Sequence, residues 1–231
     1  VKTGCNAAFV VAADSDAVEP TLLRPALRGE DVRTWHTGPP RQRIIWTHAR
    51  NGRALDRLPP LAHMHLSAHR YELEQRSDCR GGKWWTLFRT DAARADMARV
   101  VWADLARAPR AAVLRAGDST VPLNTCYALR CRDDLDALTL AALINSPLAA
   151  AWLRALAEPA RGGYRRLLAW TMALLPVPDD WARARDVLGS LGRRAMLGHD
   201  VAHADLFEAA CAAYRVRAAS VAPLCDWVGA T

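Results

Sequence analysis

Short apolar runs bounded by turn residues fill the chain up to residue 132, and longer apolar stretches with helical spacing follow. A short run between turn signals is typical of a buried strand, whereas apolar positions recurring every three to four residues are typical of a helix. The runs that predict strands cover residues 5–13, 41–46, 84–88, 99–102, 112–114 and 126–129. One helix, over residues 61–76 after Pro59-Pro60, is predicted among them.

Capping residues mark the helices of the second part. Asp133-Asp134 predicts the start of a helix that reaches Ile144. Ser146-Pro147, a capping residue followed by proline at the first helical position, predicts the start of the next. Two further helices are predicted after Asp179-Asp180 and after Asp200.

This order of elements predicts an α+β fold, with small mixed β-sheets, packed helices and a C-terminal helical tail. We assign residues 1–178 to one domain and residues 179–231 to the tail, which we expect to pack on it. With 231 residues, of which 51% are apolar, the chain can bury a substantial core.

The chain carries few signals for targeting. It has no run of 18 uncharged apolar residues, so we expect no membrane-spanning helix, and it shows no signal-peptide pattern. Because it lacks an initiator Met and begins within a strand-like run, we expect it to be part of a longer protein. The six cysteines form no C-x-x-C pair, which predicts a reduced, cytoplasmic protein.

Positive charge is concentrated in one segment. The formal net charge is +7, and residues 24–94 hold 14 basic against 7 acidic residues. Four of the nine tryptophans lie in the same segment, namely Trp35, Trp46, Trp84 and Trp85. Basic residues interleaved with aromatic ones favour a polyanionic partner, although a solvated basic face gives the same pattern.

A second basic stretch joins glycines to an aromatic residue. Arg161-Gly162-Gly163-Tyr164-Arg165-Arg166 precedes an apolar run that ends in Leu175-Pro176-Val177-Pro178. Arginine binds phosphate and guanine edges, tyrosine offers a face for stacking, and glycine permits unusual backbone conformations. The stretch is therefore a candidate nucleic-acid contact. In the alternative interpretation, the glycines only end the preceding helix and the arginines are solvated.

The motifs of common enzyme classes are missing from the sequence. No G-x-G, G-x-x-x-x-G-K or G-x-S-x-G pattern occurs, so no nucleotide loop, S-adenosylmethionine loop or hydrolase nucleophile is predicted. We assign no catalytic residue and no metal ligand. The spacing of His63, His65 and His69 leaves a metal-dependent enzyme as an alternative, but the same predicted helix supplies no acidic or cysteine partner at a ligand spacing.

Eight stretches, in their order and spacing, resemble one family. They are residues 2–10 (KTGCNAAFV), 23–31 (LRPALRGED), 44–46 (IIW), 84–89 (WWTLFR), 121–127 (VPLNTCY), 143–147 (LINSP), 161–164 (RGGY) and 175–178 (LPVP). Together they resemble the C-terminal target-recognition (specificity) region of TaqI-like adenine-N6 DNA methyltransferases, which also occurs in fused restriction–modification enzymes. The resemblance covers essentially the whole chain.

The resemblance implies a module that recognises a DNA sequence while another domain performs the chemistry. In this family the catalytic half precedes the recognition region and carries the S-adenosylmethionine loop and a D/N/S-P-P-Y/F/W motif. Neither Pro39-Pro40 nor Pro59-Pro60 has the flanking residues of that motif. We therefore expect this chain to be non-catalytic and without a cofactor of its own. Its expected partners are double-stranded DNA and an N-terminal methyltransferase domain of the same polypeptide, which flips the target adenine.

The resemblance also suggests which residues face DNA. Basic residues are expected on phosphate or guanine, with an aromatic or amide side chain beside them. The predicted contacts are Lys2, Lys83, Trp84, Arg89, Asn124, Arg161, Gly162, Gly163, Tyr164 and Arg165. A core role for Trp84 and a turn-capping role for Asn124 remain alternatives, and Asn145 is expected to be structural. A standalone nucleic-acid-binding module is the second interpretation of the whole chain.

Overall fold

The computed structural model of the protein describes residues 1–79 and 81–229, so residues 230 and 231 of the predicted tail lie outside it. The chain divides into two compact units. The first unit comprises Val1–Arg28, Pro39–Arg94 and Ser119–Asn124, and the second comprises Gly29–Gly38, Ala95–Asp118 and the chain from Thr125 onward. Both contain helices and strands, so the predicted α+β class is confirmed.

The first unit is built on a four-stranded sheet. Its strands are β1 (Val10–Ala12), β2 (Leu23–Leu27), β3 (Gln42–Ile45) and β7 (Val121–Pro122), and its helices are α1 (Asn6–Phe9), α2 (Pro60–Ser67) and α3 (Arg70–Glu74). Strand β3 lies between β1 and β2 and is antiparallel to both, whereas β7 pairs with β2 in parallel. The core includes Phe9, Ile44, Ile45, Leu66 and Leu73, all of which are fully buried.

The second unit contains two small sheets and most of the helices. Its strands are β4 (Arg99–Ala103), β5 (Leu105–Ala106), β6 (Ala111–Leu114), β8 (Cys126–Arg130), β9 (Glu158–Pro159) and β10 (Arg165–Arg166). Its helices are α4 (Asp134–Ile144), α5 (Pro147–Leu156), α6 (Ala169–Met172), α7 (Trp181–Met196), α8 (His203–Tyr214) and α9 (Ala218–Gly229). The predicted boundary at residue 178 lies between α6 and α7, and both helices belong to this unit.

Strand β4 is the centre of the second unit. It pairs antiparallel with β6 on one side and β8 on the other, and all five of its residues are buried. The core that surrounds it includes side chains of α4, α5, α7 and α8. Helices α7 and α8, which follow residue 178, therefore share one hydrophobic core with the elements before it.

Two glycines allow α7 to approach α4 closely. A Cβ atom added at Gly192 would lie 2.9 Å from Leu138 Cβ and 3.0 Å from the Leu138 carbonyl oxygen. At Gly189 it would lie 2.5 Å from Leu135 Cδ1. Because a backbone atom cannot move aside as a flexible side chain can, the contact at Gly192 is the stricter one.

An ion-pair network joins the same two helices at the start of α4. Asp136 is buried and accepts hydrogen bonds from Arg132 Nε (2.8 Å), Trp181 Nε1 (2.8 Å) and Arg185 (2.7 Å). Arg185 also binds Asp133, at 2.9 Å. Burial alone would raise the pKa of Asp136, but the hydrogen bonds from Arg132 and Trp181 and the charge of Arg185 outweigh it and hold the pKa below 3.8.

Most elements predicted from local pattern are confirmed. The strands over 41–46, 99–102, 112–114 and 126–129 occur as β3, β4, β6 and β8. Three predicted caps are also present, because the side chains of Asp133, Ser146 and Asp180 each accept a hydrogen bond from a first-turn backbone N–H.

The predicted strand over 84–88 is wrong. Residues 84 and 85 form a turn, and only Phe88 pairs with another segment, through two backbone hydrogen bonds of 2.9 Å with Lys2. Side chains take the place of a ladder partner: Arg76 donates to the Trp84 carbonyl, and Thr47 to the Trp85 carbonyl, each at 2.6 Å. An apolar run whose carbonyls are satisfied in this way has no need of a neighbouring strand.

Three other expectations need correction. The predicted strand over 5–13 begins as helix α1 and is extended only in β1. The predicted helix over 61–76 is two helices, because the backbone at His69 (φ −108°, ψ 11°) leaves the helical range. Asp200 does not cap α8, which begins at His203 after Ala202.

Among the described helices, none is by itself both long and apolar enough to cross a membrane. Helices α4 and α5 pass the criterion of length and composition only as a pair, bent by 66°.

Replacing Gly192 with alanine tests the close packing of α7 on α4. Because the added Cβ meets backbone, the clash should cost about 2–3 kcal/mol, the upper part of the usual range for overpacking, and the gain in helix propensity should return about 1 kcal/mol. We therefore expect Gly192→Ala to lower the free energy of unfolding by about 1–2 kcal/mol in urea titrations. Gly38→Ala is the control, because its nearest neighbour is 3.6 Å away. Equal stability of both variants and the wild type would show that α7 is not held this closely.

Acid should weaken the Asp136 network. A carboxyl group whose pKa is lowered in the folded state contributes its full stability above the unfolded pKa, near 3.8, and loses it as the pH falls through the folded value. At pH 7 we expect Asp136→Asn to destabilise the protein by about 2–4 kcal/mol. The difference from the wild type should shrink at pH 3. The control, Asp186→Asn, changes an exposed carboxylate on α7. A difference that persists at pH 3 would contradict the electrostatic account.

Candidate nucleic-acid interface

The glycine-containing stretch forms a hairpin in the second unit. Strands β9 and β10 pair antiparallel, the Ala160 N–H donates to the Tyr164 carbonyl at 2.8 Å, and β10 also pairs with β5. Gly162 (φ 75°) and Gly163 (φ 77°) both adopt the left-handed conformation at the tip. Helix α5 has already ended at Leu156, so these glycines make a hairpin turn and do not terminate the helix.

The hairpin exposes a cation that is available for a partner. Arg161 is exposed, and no hydrogen bond or ion pair involves its side chain within the described residues. Arg166 is exposed and lies 3.7 Å from Glu158. Arg165 is half-buried and donates to the Ala157 carbonyl at 3.0 Å, so it helps to hold the hairpin. Tyr164 is 38% exposed.

The structure adds a residue that sequence analysis missed. The guanidinium of Arg107, which follows β5, lies 5.3 Å from the centre of the Tyr164 ring. This cation–π contact holds an exposed arginine beside the hairpin. Arg107 lies in no motif, and only the pairing of β5 with β10 brings it here. We call the surface formed by Arg107, Arg161, Tyr164, Arg165 and Arg166 the basic hairpin surface.

The segment after the hairpin is anchored to β4. Leu167 is buried, its N–H donates to the Asp104 carbonyl, and its carbonyl accepts from Trp102 Nε1, both at 2.8 Å. Trp102 in turn stacks on Tyr127, with ring centres 5.8 Å apart. The apolar run behind the loop therefore fixes the hairpin to the core.

The other predicted contacts lie in the first unit, and its two lysines already have acidic partners. Lys2 Nζ lies 2.5 Å from Asp78, and Lys83 Nζ lies 2.6 Å from Asp56 and 2.9 Å from the Leu55 carbonyl. Lys83 thus ties its loop to residues 54–56. Either lysine would have to exchange an existing ion pair for a phosphate.

The remaining predicted contacts of this unit differ in how available their side chains are to bind DNA. They are Trp84, Arg89 and Asn124. Trp84 is half-buried between His63 and Trp85, with the Arg70 guanidinium 5.6 Å from its ring, so it packs within the unit. Arg89 and Asn124 are exposed, and neither side chain has a bonding partner in the part of the chain that the structure describes. Asn124 therefore does not cap a turn.

Asn145, which belongs to the second unit, has the structural role expected for it. Its side chain exchanges two hydrogen bonds with the Ala111 backbone, at 2.7 and 3.0 Å.

A second loop with unpaired cations was not singled out from the sequence. Asn51-Gly52 forms the tip of a hairpin in which His48 pairs with Ala54, and Asn51 Oδ1 accepts from the Arg53 N–H at 3.0 Å. Arg50 and Arg57 are exposed, and across residues 1–79 and 81–229 their side chains contact no acidic partner. The signal for this loop in the sequence is the Asn51-Gly52 dipeptide, typical of a tight turn, within the basic segment of residues 24–94.

In the basic segment of residues 24–94, burial keeps the His48 ring neutral and partly desolvates the Arg24 guanidinium. Burial, reinforced by the charge of Arg24, lowers the pKa of His48 to about 4, so its ring is neutral at pH 7. The Arg24 guanidinium lies 4.2 Å from the centre of the Trp46 ring, and Trp46 is only 6% exposed. Trp46 is therefore a packing residue.

The three histidines considered for a metal do not converge. His65 Nε2 lies 3.1 Å from the Ala8 carbonyl oxygen, and its ring centre is 6.2 Å from that of His69. His63 contacts Trp84 edge-on. A site formed by all three is absent from the described residues.

Comparison with known proteins by sequence gives no relative. No protein-family model matches the sequence, and no curated protein matches it.

The fold does have a solved counterpart. The chain superposes with a TM-score of 0.63 and 9% identity on the type IIL restriction–modification enzyme MmeI, whose structure was solved in complex with DNA. The match covers 100% of this chain and 35% of that enzyme, so the chain spans about a third of its length. The α+β architecture described above is thus similar in fold to part of a restriction–modification enzyme.

Proposed function

We propose that this chain is the DNA-recognition region of a site-specific adenine-N6 DNA methyltransferase of the restriction–modification type. The observation that carries the proposal is the basic hairpin surface: an exposed, unpaired Arg161 on a turn that is anchored to the core. The fold shared with part of a DNA-bound restriction–modification enzyme supports it. The eight ordered stretches that resemble TaqI-like recognition regions support its finer part.

The basic hairpin surface suits a phosphate backbone for energetic reasons. Among the described residues Arg161 has no ion pair to break, so binding a phosphate costs it only partial desolvation and side-chain ordering. Arg107 is partly ordered in advance by its contact with Tyr164. Each arginine that neutralises a phosphate releases condensed counterions, which gives affinity that falls as salt rises.

The first unit would contribute further contacts. The most available side chains are exposed and have no bonding partner in the part of the unit that the structure describes, so no internal bond opposes their binding. They are Arg50, Arg57, Arg89 and Asn124. Lys2 and Lys83 stay proposed contacts, but each would first leave an aspartate.

Catalysis would belong to another part of the polypeptide. The proposal places the S-adenosylmethionine site and the adenine pocket in a preceding methyltransferase domain. In the same proposal residues 1–178 form the specificity domain, and residues 179–231 support it from the core that they share with it. The location of the whole protein would be cytoplasmic.

Removing two arginines of the basic hairpin surface tests DNA binding. Each lost phosphate contact reduces the slope of log K against log salt by about 0.9, so Arg107→Ala with Arg161→Ala should reduce it by about 2. We expect affinity at low salt to fall about tenfold or more, in anisotropy titrations with a labelled duplex of arbitrary sequence. An arbitrary sequence suffices because the phosphate contribution does not depend on bases.

Arg193→Ala with Arg194→Ala is the matched control. It removes the same charge from exposed positions at the end of α7, away from the hairpin sequence. Equal losses of affinity and slope in both double variants would mean that net charge, and not the basic hairpin surface, governs binding.

The adenine-specific part of the proposal needs the full polypeptide. The full polypeptide would be incubated with duplex DNA from its host genome and radiolabelled S-adenosylmethionine. After the DNA is digested to nucleosides, we expect the label in N6-methyladenine. Label only in methylcytosine would replace the adenine assignment while leaving the DNA-recognition role intact.

A further inference from the structure

Three side chains with metal-binding atoms converge in the first unit. They are Cys5, His69 and Glu72, whose ligand atoms all lie within 4.8 Å of one another. Cys5 Sγ is 3.4 Å from Glu72 Oε2, and His69 Nδ1 is 3.6 Å from the same oxygen. Cys5 directly precedes α1, whereas His69 and Glu72 stand at the start of α3.

These distances suit a tetrahedral metal centre. Zinc binds thiolate sulfur at about 2.3 Å and imidazole nitrogen or carboxylate oxygen at about 2.0–2.2 Å, so ligand atoms of one tetrahedron lie about 3.3–3.6 Å apart. The observed 3.4 and 3.6 Å fall in this range. Without a metal the contact between His69 and Glu72 is too long for a good hydrogen bond. The carboxylate of Glu72 is the point at which the three groups converge, because the Cys5 thiol donates a hydrogen bond to Oε2 and His69 Nδ1 faces the same oxygen.

The chemical nature of the three ligand groups, a thiol, an imidazole and a carboxylate, also favours a zinc-class cation. Thiolate and imidazole are ligands that such ions prefer over magnesium or calcium, which select oxygen. The Cys5 side chain is half-exposed, and those of His69 and Glu72 are 28% and 64% exposed, so an ion can reach the site from solvent. We propose that Cys5, His69 and Glu72 bind one zinc-class divalent cation and leave a fourth position for water.

The bound cation would fasten the N-terminal segment to α3. Arg76 already binds this segment, because it donates to the carbonyl of Thr3. Gly4 adopts φ 71°, and a Cβ atom there would lie 2.6 Å from Arg76 Cδ. A metal on Cys5 would add a further attachment two residues along the chain from Thr3. Lys2, a proposed DNA contact, lies on the same segment, but the metal site does not depend on the DNA-binding proposal.

The site differs from the histidine set that the sequence suggested. Of those three residues only His69 takes part. The other two ligands come from Cys5, which is distant in sequence, and from Glu72, which lies three residues after His69. The expectation that the predicted helix over 61–76 offers no acidic partner at a ligand spacing was therefore wrong.

Cobalt titration tests the site. To reduced, chelator-treated protein we would add Co²⁺, which reports thiolate ligation through a sulfur-to-cobalt charge-transfer band and tetrahedral geometry through intense visible bands. We expect saturation at one equivalent and displacement of cobalt by Zn²⁺. Cys5→Ser should abolish the charge-transfer band, and Glu72→Gln should weaken affinity about tenfold or more. His63→Gln, on an exposed residue of α2, is the control and should bind as the wild type does.

The absence of a charge-transfer band in the wild type would overturn the proposal. An undiminished band in Cys5→Ser would also overturn it, because the thiolate would then belong to another of the six cysteines. If Cys5→Ser does not fold, Glu72→Gln decides, because its side chain is largely exposed and its loss should leave the fold intact. Unchanged cobalt affinity in Glu72→Gln would likewise contradict the site.

Discussion

The attachment of Leu167 to β4 is the constraint on which the proposed interface depends. Its N–H and carbonyl are bonded to Asp104 and Trp102, and its side chain is buried. Because β4 is buried throughout and paired on both edges, it can shift only if the core of the unit shifts. The hairpin formed by β9 and β10 therefore emerges from a rigid base. The side chains at its tip are exposed, so they can adjust their conformations to a phosphate backbone.

Charge alone overstates how many cations are available to DNA. The first unit holds 14 basic against 8 acidic residues. Several of the basic groups serve the fold, however: Arg76 is buried and donates to three backbone carbonyls, and Arg24 packs on Trp46. Lys2 and Lys83 are paired with acids. Counting charges in the sequence thus locates the basic unit. The bonding partners of each basic side chain then show which of them are available to bind DNA.

Local chemistry explains which features the sequence predicted. Caps such as Asp133 and Ser146 act on a backbone N–H three residues away, so their partner is fixed by the chain itself. The turn at Trp84 depends on Arg76 and Thr47, and no periodicity reveals that a side chain has replaced a strand. Arg107 and Cys5 were missed for the same reason, because each acquires its role from a contact with a distant segment.

Amide hydrogen exchange with and without duplex DNA tests the central claim most directly, because it locates contact without altering the protein. Residues 158–166, the hairpin, lie mostly at the surface, with only Arg165 and Ala160 half-buried. The account predicts slower exchange in peptides covering this hairpin when duplex is added at low salt, with peptides from the solvent-facing end of α7 unchanged. Unaltered exchange in the hairpin, under conditions where DNA is bound, would contradict it.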